Sequence, residues 1–224
     1  HKALSEDTYR TLSAVDAVVM LIDAAKGIES QTRKLFEVCK LRRLPVLTFV
    51  NKLDLPSRDP FDLLDEIERV LGIHAVPMNW PIGSGDRFRG VYDLQQGLVH
   101  LYDRKDRAHP APVNVGAADD PKLKELIGED AWKHLVDESA LVTGAGTVFD
   151  HAAYLDFRHT PVFFGSALSN FGLEPFLHAL TELAPPPGGR DSDRGVIPPE
   201  TPHFSGFVFK IQANMNKRHR DRVA

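Results

Sequence analysis

The chain has 224 residues, of which 42% are hydrophobic, so it can form one large or two small domains with a core. Its formal net charge of -4 and pI near 6.2 argue against a protein that coats nucleic acid or adheres to membranes through charge. The single cysteine, Cys39, excludes an internal disulfide framework. With no signal peptide and no apolar run of about 18 residues, the composition favours a cytoplasmic protein.

The first part of the chain alternates between helical and strand-like patterns. Residues 5–12 are predicted to form a short amphipathic helix with Tyr9 and Leu12 on one face. Residues 17–22 form an apolar run typical of a strand, and after a turn a helix is expected from Ser30. This order of strand, turn and helix is half of a βαβ unit, which indicates an α/β fold with a parallel sheet.

The next predicted strand ends in a polar loop. Residues 46–50 show no alternation of inward and outward patterns, which predicts a strand buried on both faces of a parallel sheet. Asn51, Lys52 and Asp54 follow at its carboxyl end, where ligands bind in sheets of this kind.

The chemistry of these three side chains suits a guanine ring. The Asp54 carboxylate can accept from N1 and N2 of guanine, whereas the same edge of adenine carries no amino group. The Asn51 amide can reach N7 or tie neighbouring loops together, and the Lys52 stem can lie flat over the base. The alternative is that Asn51 ends a strand and Asp54 caps a turn.

A second apolar run, residues 160–164, also ends in a small polar loop. Gly165 allows a close backbone approach, and Ser166 and Ala167 can offer N–H or O–H groups to guanine O6. Asn-Lys-x-Asp followed by Ser-Ala-Leu resembles the two guanine-specificity motifs of GTPases, which favours a base site over the turn alternative. The predicted base-binding residues are Asn51, Lys52, Asp54, Ser166, Ala167 and Leu168.

The helix between these loops is well marked, with Asp59 as its N-cap, Pro60 in its first turn and Gly72 at its end. From 76 to 159 the α/β rhythm lapses, which predicts an inserted subdomain. Its expected parts are a β-hairpin over 88–94 and 98–102, a loop at 103–120, and two or three helices within 121–157, one of them with Trp132, Leu135 and Val136 inward.

The end of the chain changes composition. Residues 185–202 are rich in proline and charge and are predicted to be a linker, so that residues 1–184 form the first domain. Residues 204–211 alternate like the first strand of a β domain that occupies 203–224. Five basic residues lie near this end: Lys210, Lys217, Arg218, Arg220 and Arg222. Such a cluster is more commonly a solvated surface, and contact with ribosomal RNA is the alternative.

Over essentially its whole length the chain resembles the bacterial peptide chain release factor three family of translational GTPases. The matching stretches are residues 5–12, 23–27, 51–54, 80–83, 163–168 and 210–215, and the ending at 219–224 suits this family better than elongation factor G relatives. The resemblance implies the C-terminal half of a P-loop GTPase domain, an inserted α+β subdomain, and the first strand of a β-barrel domain. It also implies GTP or GDP as ligand, and a role on the ribosome in recycling stop-codon-reading release factors.

The resemblance also implies that parts of the family's active site are missing. The phosphate loop, the first switch and the Asp-x-Pro-Gly that supports Mg²⁺ would precede residue 1, and no Gly-x-x-x-x-Gly-Lys-Ser/Thr occurs in the chain. Because phosphoryl transfer depends on these parts, we expect the chain alone not to hydrolyse GTP. We also expect the strand at 17–22 to expose an apolar edge and to make the isolated chain poorly stable or prone to aggregation.

His1 is the candidate catalytic residue. The resemblance aligns it with the water-positioning histidine of the second switch, four residues before Ser5. The following Lys2, Ala3 and Leu4 depart from the family pattern, and a cloning remnant or a misread start is the alternative.

Three functions are therefore open. The favoured one is the guanine-reading half of a release-factor GTPase, cut from a longer chain. A nucleotide-independent module that binds the ribosome or a release factor is the second, and an elongation factor G-like GTPase is the third.

Overall fold

A computed structural model describes residues 4–101, 113–114, 117–145, 148–213 and 222–223. The helices are α1 (Leu4–Leu12), α2 (Ser30–Leu41), α3 (Pro60–Leu71), α4 (Pro121–Ile127), α5 (Glu129–Gly144), α6 (His151–Leu155) and α7 (Leu173–Leu183). The strands are β1 (Val18–Asp23), β2 (Val46–Asn51), β3 (His74–Pro77), β4 (Asn79–Ile82), β5 (Gly90–Asp93), β6 (Leu98–Leu101), β7 (Val113–Asn114), β8 (His159–Phe164), β9 (Arg190–Ser192), β10 (Gly195–Ile197), β11 (Gln212–Ala213) and β12 (Arg222–Val223). None of the helices among the described residues is long and apolar enough to cross a membrane.

The main sheet has the strand order β1-β2-β8-β3, and every neighbouring pair is parallel. Val46 and Val50 of β2 belong to one apolar cluster, together with side chains of α2 and α3. Leu47 and Phe49 belong to a second cluster with Phe176 of α7. The prediction of a strand buried on both faces of a parallel sheet is therefore confirmed.

The predicted signals at the ends of α3 are also confirmed. The Asp59 carboxylate accepts a hydrogen bond from the Phe61 amide at 2.8 Å, and Pro60 stands in the first turn. Gly72 ends the helix at φ 68°, in the left-handed region that glycine adopts without strain.

Strand β3 was not predicted and lies at the edge of the main sheet beside β8. It is only four residues long and ends at Pro77, so its sequence carries too short a pattern to identify it. The departure from the parallel sheet therefore begins at Asn79 rather than at residue 76.

The inserted subdomain contains an antiparallel sheet of order β4-β5-β6-β7 and the helices α4, α5 and α6. The predicted hairpin is confirmed as β5 and β6. Most of the predicted loop at 103–120 lies outside the described residues, although β7 forms within it. In α5 Leu135 is buried as predicted, whereas Trp132 and Val136 are half-buried.

Strand β1 is the other edge of the main sheet and pairs only with β2 among the described strands. Val19 and Leu21 are 37% and 59% exposed, which confirms the predicted apolar edge. In α1 Leu12 is buried, but Tyr9 is 52% exposed, so the two do not share a buried face as predicted.

The predicted linker at 185–202 is not a plain extended segment, because β9 and β10 form a short antiparallel hairpin within it. The single strand predicted over 204–211 is not formed: these residues have no strand conformation, and Phe204 is fully exposed. Alternation suits a strand only when another strand supplies the hydrogen bonds, and the described residues place none beside this segment. The two-residue strands β11 and β12 pair with each other instead.

Candidate functional site

The carboxyl ends of β1, β2 and β8 bring three loops to one edge of the main sheet. Asp23 at the end of β1 is in register with Asn51 at the end of β2. The Gly165 amide donates to the Val50 carbonyl at 3.0 Å, and the Leu53 amide donates to the Gly165 carbonyl at 3.2 Å. The two loops predicted to read a base are therefore neighbours, although 111 residues or more separate them in the chain.

Asn51 joins these two loops directly. Its Oδ1 accepts one hydrogen bond from the Lys52 amide and another from the Ala167 amide, both at 2.8 Å. Tying neighbouring loops together was one of the two roles predicted for Asn51. Because this oxygen serves both loops, a change at Asn51 would alter the spacing between them.

The loop after β8 is held by its own backbone. The amides of Ser166 and Phe171 each donate to the other residue's carbonyl, at 2.9 and 2.8 Å. A methyl group at Gly165 would lie 2.5 Å from the Phe171 carbonyl oxygen and 2.8 Å from the Phe49 ring. Only glycine allows this approach, as the sequence predicted.

The donors that this loop can offer a ligand differ from those predicted. The Ser166 and Ala167 amides already donate to Phe171 and Asn51, so neither reaches a base in this arrangement. Ser166 is fully buried, and its hydroxyl makes no hydrogen bond within the described residues. The Leu168 side chain is 84% exposed, and no bond from its amide forms in the described part of the chain.

The Asn79 side chain supports the same loop by bonding the last residue of β8, and this role was not predicted from the sequence. It is buried, its Nδ2 donates to the Phe164 carbonyl at 3.2 Å, and its Oδ1 accepts from the Phe164 amide at 2.7 Å. The side chain thus pairs with β8 as a strand would, immediately before Gly165. A polar residue between apolar Met78 and Trp80 was the only available signal.

Lys52 pairs with Asp23 across the ends of β1 and β2. The distance from Lys52 Nζ to Asp23 Oδ2 is 2.7 Å. The hydrogen bond from Lys52 lowers the pKa of Asp23, and the amides of Ala25 and Lys26 act in the same direction against the effect of burial. The hydrogen bond to Asp23 likewise raises the pKa of Lys52.

Both pKa shifts favour the charged forms of Asp23 and Lys52. The pKa of Asp23 is lower in the folded chain than in the unfolded chain, where it is about 4. The stability that ionised Asp23 contributes is therefore present above the unfolded-state pKa and is lost as pH falls through the folded-state pKa. The ion pair therefore persists through the neutral range.

Asp54 lies in the turn that follows Lys52 and is half-buried, with its Oδ1 shielded from solvent. The carbonyl of the neighbouring Leu53 accepts from the Gly85 amide at 2.8 Å, so the start of the inserted subdomain supports this turn. The backbone bonds of Leu53 to Gly85 and Gly165 thus support the turn that carries Asp54.

These residues fit a guanine base. The site combines a carboxylate acceptor at Asp54, a lysine stem fixed at both ends, and a buried Ser166 hydroxyl that makes no hydrogen bond within the described residues. His1, the candidate catalytic residue, lies outside the described residues. No group of three or more metal-ligating side chains occurs among the described residues, and no residue is assigned to Mg²⁺.

Comparisons with known proteins bear on this geometry. The family model of the elongation factor Tu GTP binding domain matches residues 1–186. A crystal structure of a protein from Thermus thermophilus aligns with 80% of this chain and 28% of that chain, with a TM-score of 0.58 and 21% identity. At that identity the likeness concerns the fold alone, which is α/β with a parallel sheet and flanking helices.

Curated relatives match the whole chain. Peptide chain release factor 3 of Gloeobacter violaceus is 55% identical over 225 residues, which cover 100% of this chain and 42% of that protein. The proteins of the same name from Synechocystis sp. and Symbiobacterium thermophilum are 54% and 52% identical, and 41% and 43% of their lengths are covered. The chain thus spans about two fifths of the length of these relatives.

Proposed function

Because the chain belongs to the family of the elongation factor Tu GTP binding domain, we propose that its loops at 51–54 and 165–168 form the base-reading half of a guanine-nucleotide site. The observation that carries the proposal is the hydrogen bond from the Ala167 amide to Asn51 Oδ1, which joins the two motifs at 2.8 Å. A residue that only capped its own turn would not need to bond the backbone of the other motif, as Asn51 does.

In the proposed site each side chain has a separate task. The Asp54 carboxylate accepts from N1 and N2 of the base, and the Lys52 stem covers one face of the ring. The Ser166 hydroxyl and the Leu168 amide are the donors that this loop retains for O6. Asn51 holds the two loops together through its side-chain oxygen.

The wider role is proposed from the relatives. Proteins named peptide chain release factor 3 match the whole chain, and we infer that this chain serves a translational GTPase that recycles stop-codon-reading release factors on the ribosome. Lys210 is the one basic residue of the proposed RNA-contacting group with a described side chain, and it is half-buried. The other four lie outside the described side chains.

The test is calorimetric titration of the chain with GDP and with ADP. We expect weak binding, because the chain has no phosphate-loop motif, with GDP preferred over ADP by about tenfold, which is about 1.4 kcal/mol. Asp54→Asn should abolish this preference and improve binding of xanthosine diphosphate, whose ring presents an acceptor where guanine presents an amino group.

A matched control is Asp59→Asn, which makes the same chemical change five residues away at the start of α3. Asparagine also caps helices well, so nucleotide selectivity and stability should both be unchanged. We expect no GTP hydrolysis by the chain alone. A folded chain that binds no nucleotide but sediments with ribosomes would refute the base site and support the nucleotide-independent alternative.

A further inference from the structure

The pair of Asp23 and Lys52 has a geometry that the base-reading motifs do not explain. Lys52 has φ 74°, a left-handed backbone conformation that is uncommon for a residue with a side chain. Its side chain runs from the end of β2 to the end of β1, where Nζ meets Asp23 Oδ2 at 2.7 Å. The stem therefore crosses between two of the three loops that form the candidate site.

Asp23 is the rigid end of this pair. Its Oδ1 accepts from the amides of Ala25 at 2.9 Å and Lys26 at 3.2 Å, and its carbonyl accepts from the Gly27 amide at 2.8 Å. The Asp23 side chain is 15% exposed, whereas the Lys52 side chain is 50% exposed. The carboxylate is thus fixed by the turn, and the position of the ammonium follows from it.

We propose that Asp23 is a positioning residue of the nucleotide site, which holds the Lys52 ammonium at the end of β1 so that the lysine stem lies ready as the surface for the base. This inference rests on the proposed guanine site. Ordering a long, flexible side chain opposes binding, and a lysine already held by Asp23 has lost that freedom when the protein folded.

The ion pair with Asp23 also keeps the Lys52 ammonium from pairing with the Asp54 carboxylate. Lys52 lies within the electrostatic range of Asp54 as well as Asp23, and it hydrogen-bonds Asp23. An ammonium released from Asp23 would be drawn to Asp54 and would compete there with the N1 and N2 donors of guanine. Asp23 therefore contributes to selectivity for guanine as well as to affinity.

The test uses Asp23→Asn, Lys52→Met and the double variant in the 224-residue chain. Asn keeps an oxygen for the Ala25 and Lys26 amides but loses the charge, and Met keeps most of the lysine stem. We expect Asp23→Asn to weaken GDP binding about three- to tenfold and to reduce the preference for GDP over ADP. In the Lys52→Met background, Asp23→Asn should have no further effect.

The control is Glu29→Gln, which removes a neighbouring carboxylate whose contact is with Lys26 at 3.8 Å. It should leave GDP binding unchanged. A carbon-13 NMR titration of the Lys52 ε-carbon reports the ion pair itself, and the dependence of the Asp23→Asn effect on Lys52 is the readout that a purely structural role would not give. The pKa of Lys52 should fall clearly in Asp23→Asn, which removes the largest cause of its rise, and fall less in Glu29→Gln, because Glu29 acts on Lys52 only through its charge.

The outcomes separate this inference from the proposed function. Absence of guanine selectivity in the unmodified chain would overturn the proposed function, and the inference with it. Selective binding that Asp23→Asn leaves intact, or a loss that persists in the Lys52→Met background, would overturn the inference alone. An unchanged Lys52 pKa in Asp23→Asn would also refute it, whether or not nucleotide binds.

Discussion

At the scale of single residues, Gly165 decides how closely the loop after β8, which we propose reads a base, packs on the sheet. Its Cα faces the Phe171 carbonyl and the Phe49 ring, and both positions are held by other contacts. The loop geometry therefore depends on the absence of a side chain here.

We expect Gly165→Ala to destabilise the chain by about 1–3 kcal/mol, because the added methyl group must displace backbone. Guanine selectivity should fall with it, since the loop moves away from Asn51. Gly144→Ala in α5 is the control: among the described residues, no atom outside the local backbone of α5 lies within 4 Å of the new methyl group, and alanine favours the helix. Urea unfolding of both variants checks the prediction, and equal midpoints would contradict it.

At the scale of elements, the exposed face of β1 sets the behaviour of the chain in solution. Val19 and Leu21 are exposed on a strand that pairs on one side only within the described residues. An apolar edge strand of this kind is a template for association with other chains. The chain is therefore expected to be poorly stable or prone to aggregation.

Leu21→Lys should raise solubility, because a charged side chain on an edge strand opposes pairing with another chain. The control is Leu41→Lys, which changes a residue that is 82% exposed at the end of α2 and not on a strand. Light scattering against concentration measures the difference. Monodisperse, cooperatively unfolding behaviour of the unmodified chain would be evidence against the prediction.

At the scale of the whole molecule, one ion pair connects the hairpin of β9 and β10 to the first part of the chain. Arg190 of β9 donates to both carboxylate oxygens of Asp16, at 3.1 and 3.2 Å, and the Gly188 amide donates to Asp16 Oδ1 at 3.3 Å. Asp16 lies between α1 and β1. The segment at 185–202 is thus docked on the α/β domain by polar contacts.

Arg190→Ala should increase proteolysis within 185–202 while changing global stability by less than about 1 kcal/mol, because the pair is partly solvated. Arg194→Ala, an exposed arginine in the same hairpin, should leave the cleavage rate unchanged. Limited proteolysis with mass spectrometry locates the cuts. Equal rates for the two variants would show that the ion pair does not hold the segment.

Much of the architecture was predictable because it depends on local patterns. The non-alternating run before Asn51, the capping residues of α3 and the short strand patterns of β5 and β6 each depend on neighbouring positions in the chain. The residues proposed to read a base are likewise identified from short motifs, because Asn-Lys-x-Asp and Ser-Ala-Leu carry their donors and acceptors in a few consecutive positions, and their binding of guanine stays a prediction. Burial, caps and motif chemistry are properties of short segments, so the sequence by itself determined them.

The tertiary structure decided which side chains and backbone groups from distant segments bond to each other. Only the packing of β1 against β2 brings Asp23 to Lys52, and only the turn after β8 engages the amides that a base was expected to use. Asn79 acquires its role from Phe164, 85 residues away in the chain. Such contacts depend on distances between segments that no local pattern encodes, and for the same reason the alternating residues before β11 do not form a strand without a partner.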